Sequence, residues 1–174
     1  MAPLLILVII IIFLALVFDF TNGFHDSANA IATVVSTKVL TPRQAVGFAA
    51  FFNFIAAFGF GVAVASTISK IIHLNIVAVD LIPYIILGGL IGAISWNIIT
   101  WYLGLPTSSS HALIGGIMGS GISAAGYAVI KYETVELAAI FMFVSPIIGL
   151  IFGVLFMVAV LWGCRRSSKS KVDR

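Results

Sequence analysis

The chain has 174 residues, of which 61% are hydrophobic and 9% charged, with a mean hydropathy of +1.22 and a net charge of +3. So little polar surface cannot coat a water-soluble globule of this size, and the composition describes an integral membrane protein. The single cysteine, Cys164, excludes an internal disulfide and a cysteine-rich metal site.

Read against the roughly 20 residues that cross a bilayer, the apolar runs predict five spans, near 3–21, 44–69, 82–103, 108–129 and 137–162. None alternates with period 2, so the expected fold is all-α rather than a membrane β-barrel. The first run is expected to be a retained span. Met1-Ala2-Pro3 lacks the basic start of a secretory signal, and Phe18-Asp19-Phe20-Thr21 is no small-residue cleavage site.

From Pro3 to Thr37 the chain is apolar apart from a polar cluster, Gly23-Phe24-His25-Asp26-Ser27-Ala28-Asn29-Ala30. As one straight helix these residues rise about 52 Å, more than a hydrocarbon core of roughly 30 Å. Asn22-Gly23 is therefore the expected break in the first helix, and a broken helix carrying charge at membrane depth is the mark of a transport site. Thr41-Pro42-Arg43-Gln44 pairs a capping residue with a proline suited to a first turn, so a helix is expected to start near Pro42.

Lys70 to Asp80, with His73 and Asn75 among aliphatics, suits an interfacial loop. The span ending at Trp101 and Tyr102 closes on an aromatic pair of the kind found at membrane interfaces. Leu105-Pro106-Thr107-Ser108-Ser109-Ser110-His111 then leads into a glycine-dense stretch, Gly115 to Gly121, which is either a full span or a re-entrant hairpin. Gly-x-x-x-Gly spacings at Gly88/Gly92, Gly115/Gly119 and Gly149/Gly153 predict close helix packing. Residues 1–163 form a transmembrane domain and 164–174 a basic tail.

With the N-terminus outside, Lys38, Arg43, Arg165, Arg166, Lys169, Lys171 and Arg174 fall on the cytoplasmic side, against Lys70 and Lys131 outside. This positive-inside bias favours an N-out, C-in protein of the plasma (inner) membrane. The tail is a topology signal and not a nucleic-acid patch.

Asp26 and Asn29 are three apart and share one helix face, offering a carboxylate and an amide to one hard cation or a proton. Thr107, Ser108, Ser109 and Ser110 supply hydroxyls where a helix begins, and backbone N–H groups there form an anion site without Arg or Lys. His111 is a candidate proton carrier or oxyanion ligand, or else a bond to a neighbouring helix. Asn53 and Asn97 are expected to make inter-helix hydrogen bonds. The serines, histidines and Asp26 supply the residue types of a hydrolase, but no Gly-x-Ser-x-Gly elbow or His-Glu-x-x-His motif is present, and an enzyme is not expected.

The segment Thr21-Asn22-Gly23-Phe24-His25-Asp26-Ser27-Ala28-Asn29-Ala30-Ile31-Ala32-Thr33 resembles the signature of the inorganic phosphate transporter (PiT) family. Gly104-Leu105-Pro106-Thr107-Ser108-Ser109-Ser110-His111 resembles the family's second motif, which also precedes a glycine-rich helix. The resemblance implies a symporter of inorganic phosphate with Na⁺ or H⁺, with some members carrying phosphate together with a divalent metal. It assigns Asp26, Asn29, Thr107, Ser108, Ser109 and Ser110 to the substrate. Coupling falls to Asp26, Asn29, His25 and His111, His25 standing where many members have Asn. Family members usually carry two halves with one motif each, and this chain holds one copy, resembling the N-terminal half of an inverted repeat. An antiparallel homodimer or a separately encoded second half is then the expected partner. The alternatives are a non-transporting membrane subunit, a truncated remnant, or transport of another tetrahedral oxyanion such as sulfate.

Overall fold

The structure is a computed structural model and describes residues 2–59 and 70–166. The expected second span beyond Gly59, and Lys169, Lys171 and Arg174 of the tail, lie outside those residues. Among the described residues there are five α-helices: α1 (Ala2–Ser36), α2 (Pro42–Gly59), α3 (Ile82–Tyr102), α4 (Ser109–Ala125) and α5 (Tyr132–Cys164). Short 3₁₀ turns occupy Leu74–Ile76 and Tyr127–Val129. The chain divides into two compact units, Met1–Lys131 and Tyr132–Arg174.

Helix boundaries follow from local chemistry. Thr41 and Gln44 form a reciprocal capping box ahead of α2, with the Thr41 hydroxyl donating to Gln44 Oε1 at 2.8 Å and the Thr41 N–H at 3.1 Å. Pro42 fills the first helical position, as expected. At the start of α4, the Ser108 side chain accepts from the His111 N–H at 3.4 Å. Gly104 at φ 66° ends α3 and Gly126 at φ 75° ends α4, left-handed positions that suit glycine. Lys38 at φ 60° ends α1 in the same way without glycine's freedom. Its N–H bonds Val35 O at 3.0 Å and the Val39 N–H bonds Val34 O at 3.2 Å, closing a Schellman motif.

The break expected at Asn22-Gly23 does not form: α1 continues without interruption from Ala2 to Ser36. One glycine and one asparagine inside a helix cost about 1 kcal/mol each at most. Tertiary bonds from Asn22 and His25 to neighbouring helices offset that cost, as described below. Within 108–129 the glycine-dense stretch forms one helix, α4, followed by the 3₁₀ turn at Tyr127–Val129. α1, α3 and α5 are each long and apolar enough to cross a membrane.

Within the first unit, Phe18 of α1 packs on Leu90 and Ala93 of α3, with Ala112 and Leu113 of α4 against the same cluster. Contacts between α1 and α3 advance together along both helices, from Phe18 beside Ala93 to His25 beside Asn97, so these helices run parallel. α4 runs antiparallel to both. Gly89 faces Ile117 and Gly116, and Gly92 faces Gly116, at backbone contact distance. Close packing was expected from Gly88/Gly92 and Gly115/Gly119, but Gly116 makes the approach on α4, whereas methyls at Gly115 and Gly119 meet nothing within 4 Å. Two spacings four apart cannot by themselves identify which side of the helix meets a neighbour. The 70–81 loop clasps the far end of α4. The His73 N–H donates to Val129 O and the Lys131 N–H to Ile71 O, both at 2.8 Å, and Ile71, Ile72, Val129 and Ile130 are buried.

The second unit is described by α5, which runs through Pro146, and by the Arg165 guanidinium lying 4.5 Å from the centre of the Trp162 ring. Methyls at Gly149 and Gly153 of this helix meet nothing within 4 Å.

Candidate functional site

Because α1 is continuous, its polar residues fall into register. Asp19, Asn22, Asp26, Asn29 and Thr33 recur at intervals of three and four and form one stripe, spanning about 15 Å from Asp19 to Asn29 at 1.5 Å per residue. Asp19, Asp26 and Asn29 are exposed on the first unit, while Asn22 is partly buried.

Two side chains next to this stripe tie α1 to its neighbours. Asn22 Oδ1 accepts a hydrogen bond from the hydroxyl of Ser109, which is buried in the first turn of α4. His25 is also buried, and its Nε2–H donates to the backbone carbonyl of Asn97 on α3 at 2.7 Å. The same carbonyl accepts from the Thr100 hydroxyl at 3.1 Å. His25 thus turns toward α3, while Asp26, one residue on, faces out.

The N-terminus of α4, whose first N–H groups lack intrahelical acceptors, therefore stands beside the carboxylate-bearing stripe. Such an end attracts anions through its donors and its dipole. The polar stripe of α1 and the N-terminal end of α4 meet at the Asn22–Ser109 contact.

The predicted residues do not all converge there. Asn29 and His25 line an open groove of about 560 Å³ with Ser27, Trp101 and the Gly104–Pro106 turn. Thr107, Ser108 and His111 instead line a second groove of about 380 Å³ with Gly92 and Trp96. Ser110 is exposed. Of the four hydroxyls, Ser109 is the one bonded to α1, and Ser108 is occupied as the helix cap. Asn53 is exposed and lines a separate groove between α1 and α2. Trp101 packs edge-on to Phe24 with ring centroids 5.5 Å apart.

Sequence reasoning missed Asp19 and Asn22. In the sequence Asn22-Gly23 reads as a helix break, and Asp19 lies in a retained apolar span with no cleavage site. The heptad-like spacing of 19, 22, 26 and 29 is visible in the sequence, but becomes a face only if the helix is unbroken.

Residues 22–173 match the model of the Phosphate transporter family. A probable low-affinity inorganic phosphate transporter of Rhizobium meliloti (strain 1021) is 47% identical, over 94% of this chain and 48% of its own length. One of Bacillus subtilis (strain 168) is 46% identical, over 98% of this chain and 51% of its own. One of Streptomyces halstedii is 46% identical and is covered over 78% of its length. The chain thus spans about half the length of the first two relatives. Among solved structures, the sodium-dependent phosphate transporter superposes with a TM-score of 0.85 at 30% identity, over 96% of this chain and 42% of that one. These relatives are named as transporters and not as enzymes, and the family together with the long apolar helices marks a multi-pass membrane protein. With its match extending over 152 residues, this chain belongs to the phosphate transporter family.

Proposed function

We propose that this chain forms one half of a pathway that carries inorganic phosphate across the membrane together with a cation. The Asn22–Ser109 contact carries the proposal, because it joins the helix end suited to an oxyanion to the stripe suited to a cation. Ser109 and the first N–H groups of α4 hold phosphate oxygens, with Thr107, Ser108 and Ser110 lining its approach. Asp26 and Asn29 hold the coupling ion, with His25 fixing the orientation of that helix and His111 standing at the entrance. A co-bound cation offsets phosphate charge and lowers the cost of crossing a low-dielectric region.

Na⁺ is favoured as the coupling ion over H⁺, since the structural neighbour is named sodium-dependent. A divalent metal accompanying phosphate is the variant to test beside it. The exposed carboxylates on α1 call for a second half to complete the pathway, either a partner chain or an antiparallel copy. The N-terminus lies outside and the C-terminus inside.

Uptake of labelled phosphate into liposomes tests this reading. Uptake driven by an inward Na⁺ gradient, lost in Asp26→Asn, supports it. Protein that binds no phosphate at any Na⁺ concentration or pH is a non-transporting subunit or remnant. Labelled phosphate displaced more readily by sulfate than by phosphate reassigns the substrate.

A further inference from the structure

Every buried polar side chain among the described residues belongs to one layer of the first unit: His25, Asn97, Thr100 and Ser109. The helix register explains why. Gly89 facing Gly116 and Ile117 sets α3 against α4 so that Asn97 falls level with the first turn of α4, where Ser109 lies. His25 bonds the Asn97 carbonyl, and Asn22, one turn before His25 on the same helix, bonds Ser109. Three helices thus present Asn22, Asn97 and Ser109 at a single depth.

Within this layer Asn97 is the anomaly. It is fully buried, yet neither its side-chain Nδ2 nor its Oδ1 has a hydrogen-bond partner. Buried polar groups are almost always paired, and an unpaired amide opposes folding. Leucine would fill the space without that cost. An amide kept here has its use in a second arrangement of the same layer.

The chemistry of Ser109 supplies that arrangement. Its hydroxyl has one proton to donate and gives it to Asn22. To donate to an oxyanion it must release Asn22 Oδ1, leaving that acceptor unpaired. Asn97 Nδ2 is a free donor at the same level. We propose that Asn97 is a positioning residue whose amide takes over Asn22 when Ser109 turns to the substrate, so that phosphate binding exchanges one hydrogen-bond set for another. The identity of the oxyanion rests on the function proposed above. The exchange within the layer does not.

Two measurements separate them. In purified protein without phosphate, Asn97→Leu is compared in the natural and the Ser109→Ala backgrounds by thermal denaturation. With Ser109 present the amide is idle, and the substitution leaves the melting temperature unchanged or raised. With Ser109→Ala the amide already serves Asn22, and the same substitution lowers it. Asn97→Ala, which cannot clash, is run in parallel, and the difference between backgrounds is the quantity read. Equal shifts in both backgrounds overturn the proposal, whether or not the protein transports anything. In liposomes, Asn97→Leu raises the half-saturating phosphate concentration about tenfold with little change in maximal rate, the scale of one hydrogen bond. An unchanged half-saturation in transporting protein overturns the role in substrate binding.

Discussion

Adding a single methyl at each glycine of the α3–α4 seam ranks the contacts that hold the site's helices together. A Cβ at Gly116 meets the Gly89 carbonyl oxygen and is also 3.2 Å from its carbon and 3.3 Å from its Cα, all rigid backbone. At Gly89 it lies 2.8 Å from Ile117 Cγ1 and 3.1 Å from Ile117 Cα. At Gly88 the nearest atom is Ser120 Oγ at 2.6 Å, the mobile end of a side chain that can rotate away. At Gly115 and Gly119 there is nothing within 4 Å. Overpacking a tight contact costs about 1–3 kcal/mol, while replacing glycine by alanine inside a helix returns about 1 kcal/mol. Gly116→Ala is therefore expected to lose up to about 2 kcal/mol net, and Gly115→Ala to gain up to about 1. On a scale of roughly 2–4 °C per kcal/mol, thermal denaturation in detergent separates these neighbours by several degrees. The expected order of stability is Gly116→Ala lowest, then Gly89→Ala, Gly88→Ala, and Gly115→Ala or Gly119→Ala highest. Equal melting temperatures for Gly115→Ala and Gly116→Ala refute the helix register on which the polar layer depends.

Other outcomes follow from single contacts. Ser109→Ala removes the bond to Asn22 and is expected to weaken phosphate affinity more than cation affinity in binding titrations, whereas equal effects make this serine structural. Asp26→Asn is expected to abolish cation-coupled uptake while membrane insertion, followed by carbonate extraction, stays intact. Thr41→Ala removes the capping box of α2 and should cost about 1 kcal/mol, measurable as a lower melting temperature. Lys38→Gly relieves a left-handed residue that costs an L-side chain about 1 kcal/mol, and is expected to raise that temperature.

The all-α membrane character, the start of α2 at Pro42 and the start of α4 at the serine run were legible because each has a local cause: apolar length, a capping residue, a proline at a first turn. The family was legible from two motifs in order. The continuity of α1 was not, since whether Asn22-Gly23 breaks a helix depends on partners distant in sequence. Ser109 lies 87 residues from Asn22 and Asn97 lies 72 from His25. The same dependence hid the splitting of the serine run, in which Thr107 and Ser108 line one groove while Ser109 is buried against α1. Thr107 precedes the helix, Ser108 caps it with extended backbone, and Ser109 and Ser110 are adjacent helical residues pointing about 100° apart, so the four hydroxyls do not share one face.

The stripe on α1 sets a final test. A carboxylate facing lipid at the centre of a bilayer costs about 2.5–3.5 kcal/mol even on lenient scales, and α1 carries two, Asp19 and Asp26, on one face. Such a stripe is tolerable only where it lines water or is covered by further protein. Phe20, 75% exposed and adjacent to Asp19, points about 100° away at nearly the same depth. In a Cys164→Ser background, cysteines at Asp19, Asn29 and Phe20 are treated in sealed vesicles with a charged, membrane-impermeant maleimide. If the stripe lines a hydrated pathway, the cysteines at Asp19 and Asn29 react, phosphate slows the reaction at Asn29, and the cysteine at Phe20 stays inert because a thiol in hydrocarbon remains protonated and unreached by the reagent. Asp19 and Phe20 share a depth, so distance from the interface cannot account for a difference between them. Equal labelling at the two positions means that the stripe has no wet side of its own, and the pathway must be sought along another helix.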